Sequence, residues 1–348
     1  MGLFENPEFS HHEHVSYFHD KLTGLRCIIA IHDSRSTVAG GGIRFFPYKT
    51  SGEALVDVLR LSKGMSYKSA LAGLPFGGGK SVILGDPKSI KTEALLEAFG
   101  RCVERLGGKY ICAEDIGMTP ADMEVILRTT AHVTGLPGKS GDTSPLTSYG
   151  VYRALTAAAD WKLGRPVESV AILGFGNVGR HLAALLVKDG VRLFVADINV
   201  ENVRTAVAQY GATAVEPDEI FACDVDVLAP CSIGAVLNDI TIPRIRAPIV
   251  CGGANNQLAN VKLHGAMLGA RDVLFVPDYI ANAGGVISGS AELVGRSVEA
   301  TRGMVDDIYA TCQKVFRLAQ DQSCSPLAAA ERLAEQILGE GRKSRIYS

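Results

Sequence analysis

Apolar residues recur along this chain with two periods. Continuous or β-branched runs at residues 25–32, 38–46, 81–84 and 110–113 predict strands in the first third. Between them the spacing turns helical. Ser51 can cap a helix to about Gly64 with Leu55, Val58 and Leu59 buried, and Leu61, Met65 and Lys68 share a face one turn apart. Thr92 can cap a second helix, whose Leu95, Leu96, Phe99, Val103 and Leu106 lead to a stop at Gly107-Gly108. Residues 135–145 are polar and rich in Gly and Pro, which predicts a linker, and a helix is expected over 151–161. From residue 170 strand-like and helical stretches alternate, with strands at 170–173, 191–196, 225–229, 248–251 and 273–276, the pattern of a parallel, doubly wound sheet. Met304, Ile308, Cys312, Val315 and Phe316 form one helical stripe, and Ser325-Pro326 opens a last helix to about Leu338. The expected fold is α/β with two domains, residues 1–135 and 136–325, and residues 326–348 as a helix returning to the first.

Composition narrows the class without naming a reaction. With 348 residues, 47% hydrophobic and 21% charged, the chain can bury two cores. A net charge of −2 provides no basic field for nucleic acid or an anionic membrane. No apolar run reaches the roughly 20 residues needed to span a bilayer, and the N-terminus lacks a signal-peptide core, so a cytoplasmic location is expected. Eight scattered cysteines without CxxC pairs read as reduced thiols. His11, His12 and His14 lie in a polar opening segment, where solvated side chains are expected and no metal site.

Two stretches carry candidate chemistry. Leu74-Pro-Phe-Gly-Gly-Gly-Lys80 reads as a glycine-rich turn that lets backbone approach a ligand and delivers one lysine, twelve residues after Lys68. Two ammonium groups in one poorly solvated pocket would divide the work: one grips an anion, the other becomes a base near neutral pH. Two surface lysines beside a turn would show the same spacing. The second stretch, Gly174-Phe-Gly-Asn-Val-Gly179, comes after one strand and opens a helix, and a second strand then ends at Asp197. That context supports a diphosphate at the helix N-terminus and an adenine ribose on Asp197, with NAD favoured over NADP because no cation appears until Arg204.

LPFGGGKSVILGDP (74–87) and GMSYK (64–68) resemble the active-site signatures of the glutamate/leucine/phenylalanine/valine dehydrogenase family. AGGGIRFFP (39–47), AEDIG (113–117), GFGNVG (174–179), APCSIGAVLN (229–238), GGANNQL (252–258) and PDYIANAGGVI (277–287) match it in order, and the whole is most similar to the leucine, phenylalanine and tryptophan branch. The resemblance implies reversible oxidative deamination of an L-amino acid by NAD, in a homodimer or higher homo-oligomer, with residues 1–135 as the substrate-binding and oligomerisation domain and 136–325 as a Rossmann NAD-binding domain. It implies that Lys68 holds the substrate carboxylate with help from Asn282, that Asp115 receives the amino group, and that Lys80 activates water. Gly40, Gly41, Met65, Ala113 and Gly289 would line the substrate side chain. Thr147, Gly174, Phe175, Gly176, Asn177, Val178, Gly179, Asp197, Ile198, Cys231, Ala254, Asn255 and Asn256 would meet the cofactor.

Side-chain preference is set by two departures. Gly40 stands where the glutamate branch has a lysine and branched-chain enzymes a leucine, and Gly289 where the latter have a valine. A site without a countercharge disfavours a second carboxylate, and the missing volume admits an aromatic ring unless Phe76 or Leu293 intrudes. A large apolar amino acid is expected, branched or aromatic. Glutamate dehydrogenase, a 2-hydroxyacid dehydrogenase and a catalytically silent NAD-binding regulator are the competing readings; His132, His181 and His264 lack the acidic context the second would need.

Overall fold

The computed structural model describes residues 2–35, 37–136, 142–232 and 234–346. It divides into two compact units, the first made of residues 1–141, 289–296 and 334–348 and the second of 142–288 and 297–333. The expected linker 135–145 lies partly outside the described residues, and the chain is helical again from Ser144.

In the first unit, β1 (His14–Asp20), β2 (Leu25–Asp33), β3 (Ala39–Phe46), β4 (Gly77–Leu84) and β5 (Tyr110–Glu114) form one sheet in the order β1-β2-β4-β3-β5. β4 runs antiparallel to β2 and parallel to β3, and β3 parallel to β5. Alternate residues face opposite layers. Ile29, Ile31, Ile43, Phe45 and Ile83 face the helices Glu93–Glu104 and Pro120–Leu127. Ile28, Ala30 and Val82 face the helix Ser51–Leu71 through Leu55, Val58 and Leu59.

Three expectations are corrected here. Gly77 to Gly79 are not a turn but the start of β4, whose eight residues are all buried. Neighbouring atoms already fill the space a Cβ would need: the Asp33 carbonyl at Gly77, the Ser66 backbone at Gly78, and the Tyr110 ring, 2.7 Å away, at Gly79. Second, the helix does not stop near Gly64 but continues to Leu71, its Thr50 cap accepting the Glu53 N–H. Its Ser62, Ser66 and Ser69 are buried, and such small side chains let helix backbone settle on glycine backbone. Third, the polar opening segment contains edge strand β1, and His12 is buried, its Nε2 3.1 Å from the Leu59 carbonyl oxygen.

In the second unit, β6 (Ser169–Leu173), β7 (Arg192–Ala196), β8 (Thr213–Ala214), β9 (Val227–Pro230), β10 (Ile249–Val250) and β11 (Leu274–Phe275) form a parallel sheet, ordered β11-β10-β9-β6-β7-β8. The chain leaves β6 for β7 on one side and reaches β9 on the other, so the order reverses at the carboxyl end of β6. Such a crevice is where open α/β sheets hold ligands.

Candidate active site

Lys80 projects from β4 on the face covered by the helix that carries Lys68. Gly78, Lys80 and Val82 alternate onto that face, as do Gly40, Gly42 and Arg44 of β3. Lys80 is 7% exposed, and its Nζ lies 2.7 Å from Asp115 Oδ2. Lys68 is half-buried beside Met65, also half-buried. The two lysine-bearing segments are tied together where the Gly78 N–H donates to Ser66 Oγ at 3.1 Å.

Asp115 sits in the turn just past β5, where the Phe45 N–H donates to the Ile116 carbonyl at 2.8 Å. Burial opposes its charge, but the Lys80 and Arg44 cations and the Ile116 N–H outweigh this and hold the carboxyl below the usual carboxylate range. A buried ion pair of this kind can exchange a proton along its 2.7 Å contact once a substrate alters the local charge.

Two neighbours were not singled out in the sequence. Gly42 gives the pair its room: a Cβ there would stand 2.8 Å from Asp115 Cβ and from the Glu114 carbonyl oxygen, and 3.1 Å from Lys80 Nζ. Arg44 Nε reaches Asp115 Oδ2 at 3.3 Å, while its Nη1 lies 3.0 Å from Asp57 Oδ2. A charged residue inside an otherwise apolar strand was the available signal.

The other first-unit positions differ in what they leave open. A Cβ at Gly41 would collide with the Gly79 carbonyl, so that glycine is required by the packing of β3 on β4. At Gly40 a Cβ would meet the Phe76 ring at 3.6 Å, so Phe76 occupies space that the sequence left empty. Gly289 has nothing within 4 Å of an added Cβ. Ala113 pairs with Gly42 across the β3–β5 ladder and is half-buried.

In the second unit, Gly174 has φ +96°, and a Cβ there would stand 2.6 Å from the Ser232 nitrogen. Gly176 precedes the helix Asn177–Lys188 and has open space around it. A Cβ at Gly179 would strike the Gly174 carbonyl, so helix and turn pack closely. Phe175 is buried, Asn177 exposed and Val178 half-buried. Asp197 directly follows β7 and accepts the Phe175 N–H at 2.6 Å. Burial raises its carboxyl, but the N–H groups of Asn199 and Phe175 and the Asn202 amide hold it below the usual range. Open backbone at Gly176, a 12-residue helix behind it and a carboxylate at the next strand end fit a dinucleotide.

The remaining positions ring the same sheet end. Ile198 is 92% exposed. The Cys231 thiol is pushed up to about 11 by burial, and the Ala254 N–H donates to the Pro230 carbonyl at 2.9 Å. Asn255 and Asn256 are exposed, the latter left-handed at φ +52°. Thr147 Oγ1 donates to the Thr143 carbonyl at 2.9 Å. Asn282 differs from expectation: its Nδ2 donates to the Gly253 carbonyl at 3.2 Å and to Asn255 Oδ1 at 2.7 Å, leaving Oδ1 buried without a partner. The atom left over is an acceptor, whereas a carboxylate needs a donor.

Among the described residues no group of three or more His, Cys, Asp or Glu side chains could hold a metal ion, and no helix is long and apolar enough to cross a membrane. All eight cysteines are free.

Residues 9–132 match the family described as Glu/Leu/Phe/Val dehydrogenase, dimerisation domain, and residues 195–340 match Glutamate/Leucine/Phenylalanine/Valine dehydrogenase. The chain is 44% identical to leucine dehydrogenase of Geobacillus stearothermophilus, over 99% of this chain and 95% of that one. It is 42% identical to L-tryptophan dehydrogenase of Nostoc punctiforme, over 99% and 98%. The crystal structure of L-tryptophan dehydrogenase from Nostoc punctiforme superposes with a TM-score of 0.85 at 40% identity, covering 95% of this chain and 97% of that one.

Proposed function

The chain belongs to the Glu/Leu/Phe/Val dehydrogenase family, and from that premise we propose that it catalyses NAD-dependent, reversible oxidative deamination of a large apolar L-amino acid. The observation that carries the reading is the buried Lys80–Asp115 pair, 2.7 Å apart under Gly42. The nicotinamide, when bound, supplies a hydride acceptor. The chain's own residues do the rest. Lys68 grips the substrate carboxylate as a charged donor. Asp115 takes a proton from the substrate ammonium. Lys80, which loses its own proton to solvent when that cation binds beside it, then withdraws a proton from the water that adds to the carbon and stabilises the oxyanion formed there. Asn282, its NH₂ engaged, serves as a hydrogen-bond acceptor.

The choice of substrate class rests on Gly40 and Gly289. Neither brings a cation for a distal carboxylate, so an ionised side chain would be desolvated without a partner. Asp197 supports NAD, since a carboxylate accepts ribose hydroxyls and repels a 2′-phosphate. Self-association through the first unit is supported by the dimerisation-domain match over 9–132 and by exposed edge strand β1, whose Tyr17 is 57% exposed.

The test is NADH formation with leucine, valine, phenylalanine, tryptophan and glutamate, and its ammonium-dependent reversal with the matching 2-oxo acids. Turnover is expected on the apolar set and not on glutamate, and Lys80→Ala should abolish it. Absence of NADH with every amino acid, or near-normal turnover by Lys80→Ala, would overturn the reading.

A further inference from the structure

The Lys80–Asp115 pair is one end of a longer chain of charges. Asp115 Oδ2 receives Lys80 Nζ at 2.7 Å and Arg44 Nε at 3.3 Å. Arg44 Nη1 reaches Asp57 Oδ2 at 3.0 Å, and the Tyr48 hydroxyl donates to that same oxygen at 2.5 Å. These groups come from five places: Lys80 from β4, Arg44 from β3, Tyr48 from the segment after β3, Asp115 from the turn after β5, and Asp57 from the helix that carries Lys68. The Arg44 side chain is 13% exposed, so its charge is paired mainly by the two carboxylates and little by water.

Asp115 needs such a tie. Its residue lies beyond the β3–β5 ladder, which ends at the Ile43–Glu114 pair. The turn backbone is fixed by the Phe45 N–H to Ile116 carbonyl bond and by Gly117 at φ +83°, but these leave the side chain to be oriented by whatever meets it. A guanidinium makes a planar, fixed fork that can hold two carboxylates at a set angle, which a single ammonium cannot.

We propose that Arg44 is a positioning residue for the acid–base pair: anchored to the Lys68 helix by Asp57, which Tyr48 buttresses, it fixes the Asp115 carboxylate against Lys80. This rests on the dehydrogenase reading of Asp115 and Lys80. Arg44 does not touch the reacting atoms; it sets where the proton acceptor stands and keeps it ionised. The groups facing Asp115 are Lys80 and Arg44 as cations, Asp57 and Tyr48 behind Arg44, Glu114 adjacent on its own strand, and Tyr110, which is fully buried and responds to the Asp115 charge. Removing Arg44 takes away one of the two cations that hold the carboxyl low, so protonation should set in at higher pH. With Asp57 changed instead, Arg44 keeps its charge but loses its anchor, which relaxes orientation while preserving ionisation.

The experiment pairs Arg44→Gln, Arg44→Lys and Asp57→Asn with the parent, using two readouts. The first is the carboxyl ¹³C titration of Asp115 in the full chain, assigned with Asp115→Asn, which needs no substrate. The second is the pH profile of kcat and kcat/KM. Arg44→Gln should move the Asp115 midpoint, and with it the acid limb of kcat/KM, to higher pH and lower kcat about a hundredfold. Arg44→Lys should restore the midpoint but not kcat, and Asp57→Asn should lower kcat with the midpoint close to that of the parent. An unmoved midpoint in Arg44→Gln, or full kcat in both Arg44→Gln and Asp57→Asn, overturns the proposal. A midpoint that moves while turnover at high pH stays normal also overturns it and leaves the role of Asp115 standing, whereas a midpoint that moves without the acid limb of kcat/KM overturns both the proposal and the role given to Asp115. If Arg44→Gln does not fold, Arg44→Lys and Asp57→Asn decide: parental kcat in both overturns the proposal.

Discussion

Gly42→Ala is a one-methyl change aimed at the centre of the site. The new Cβ would stand 2.8 Å from the Glu114 carbonyl oxygen, which belongs to β5, and 2.8 Å from Asp115 Cβ. Neither is the end of a flexible chain. Only Lys80 Nζ, at 3.1 Å, can swing away, and doing so parts it from Asp115. Overpacking of this kind costs about 1–3 kcal/mol, offset by about 0.4–1 kcal/mol because alanine narrows the unfolded ensemble. A net loss of about 1–2 kcal/mol lowers Tm by about 2–8 °C, leaving a folded protein at room temperature. Misplacing the acid–base pair by a fraction of an ångström to one ångström should lower kcat about a hundredfold. NADH absorbance measures kcat, and a thermal melt measures the stability change. Gly64→Ala is the control: nothing lies within 4 Å of its Cβ, so activity should be unchanged and stability slightly raised. If Gly42→Ala turns over at the parental rate while folded, the steric account of the site is wrong.

Gly289→Leu should be tolerated, since its Cβ meets nothing within 4 Å, yet it should cut kcat/KM for tryptophan relative to leucine about tenfold or more; an unchanged ratio removes Gly289 from the pocket. Asp197→Ala should raise NADP use relative to NAD about tenfold by removing the ribose acceptor, and equal discrimination in the variant would contradict that role. The His12 imidazole is lowered from 6.5 to about 4, chiefly by burial. The unfolded chain therefore takes a proton below pH 6.5 while the folded one resists until about pH 4, so stability is full above 6.5 and declines towards 4. The decline is about 2–3 kcal/mol, and His12→Asn should flatten it in urea melts; an unaltered pH slope would show that another group is responsible.

Much of the second unit could be read from the sequence because its signals are local. A turn, a helix start and a carboxylate at the next strand end are fixed by neighbours in the chain, as at Gly174 to Asp197. β4 was harder. Its glycines break the apolar alternation that marks a strand, and the reason for them, the Asp33 carbonyl, the Ser66 backbone and the Tyr110 ring, comes from distant residues. Edge strand β1 was hidden because His14 to Asp20 keeps one side open to water and reads as polar. Lys80 and Asp115 stood out through their motifs, whereas Arg44 acquires its meaning only when Asp57 and Asp115, 13 and 71 residues away, arrive beside it. Phe76 filling the space at Gly40 likewise needed coordinates.

The central strand has one more implication. Lys80 pairs with Ala30 of β2 on one side, and β3 flanks the strand on the other, so its main chain is clamped from both directions. Gly289, by contrast, borders empty volume. On the proposed reading of the two positions, a lineage of such proteins, or a laboratory campaign, can trade one side chain for another at Gly289 while Lys80 stays in register. Changing diet and keeping chemistry would then be separable, because they fall to different parts of the scaffold.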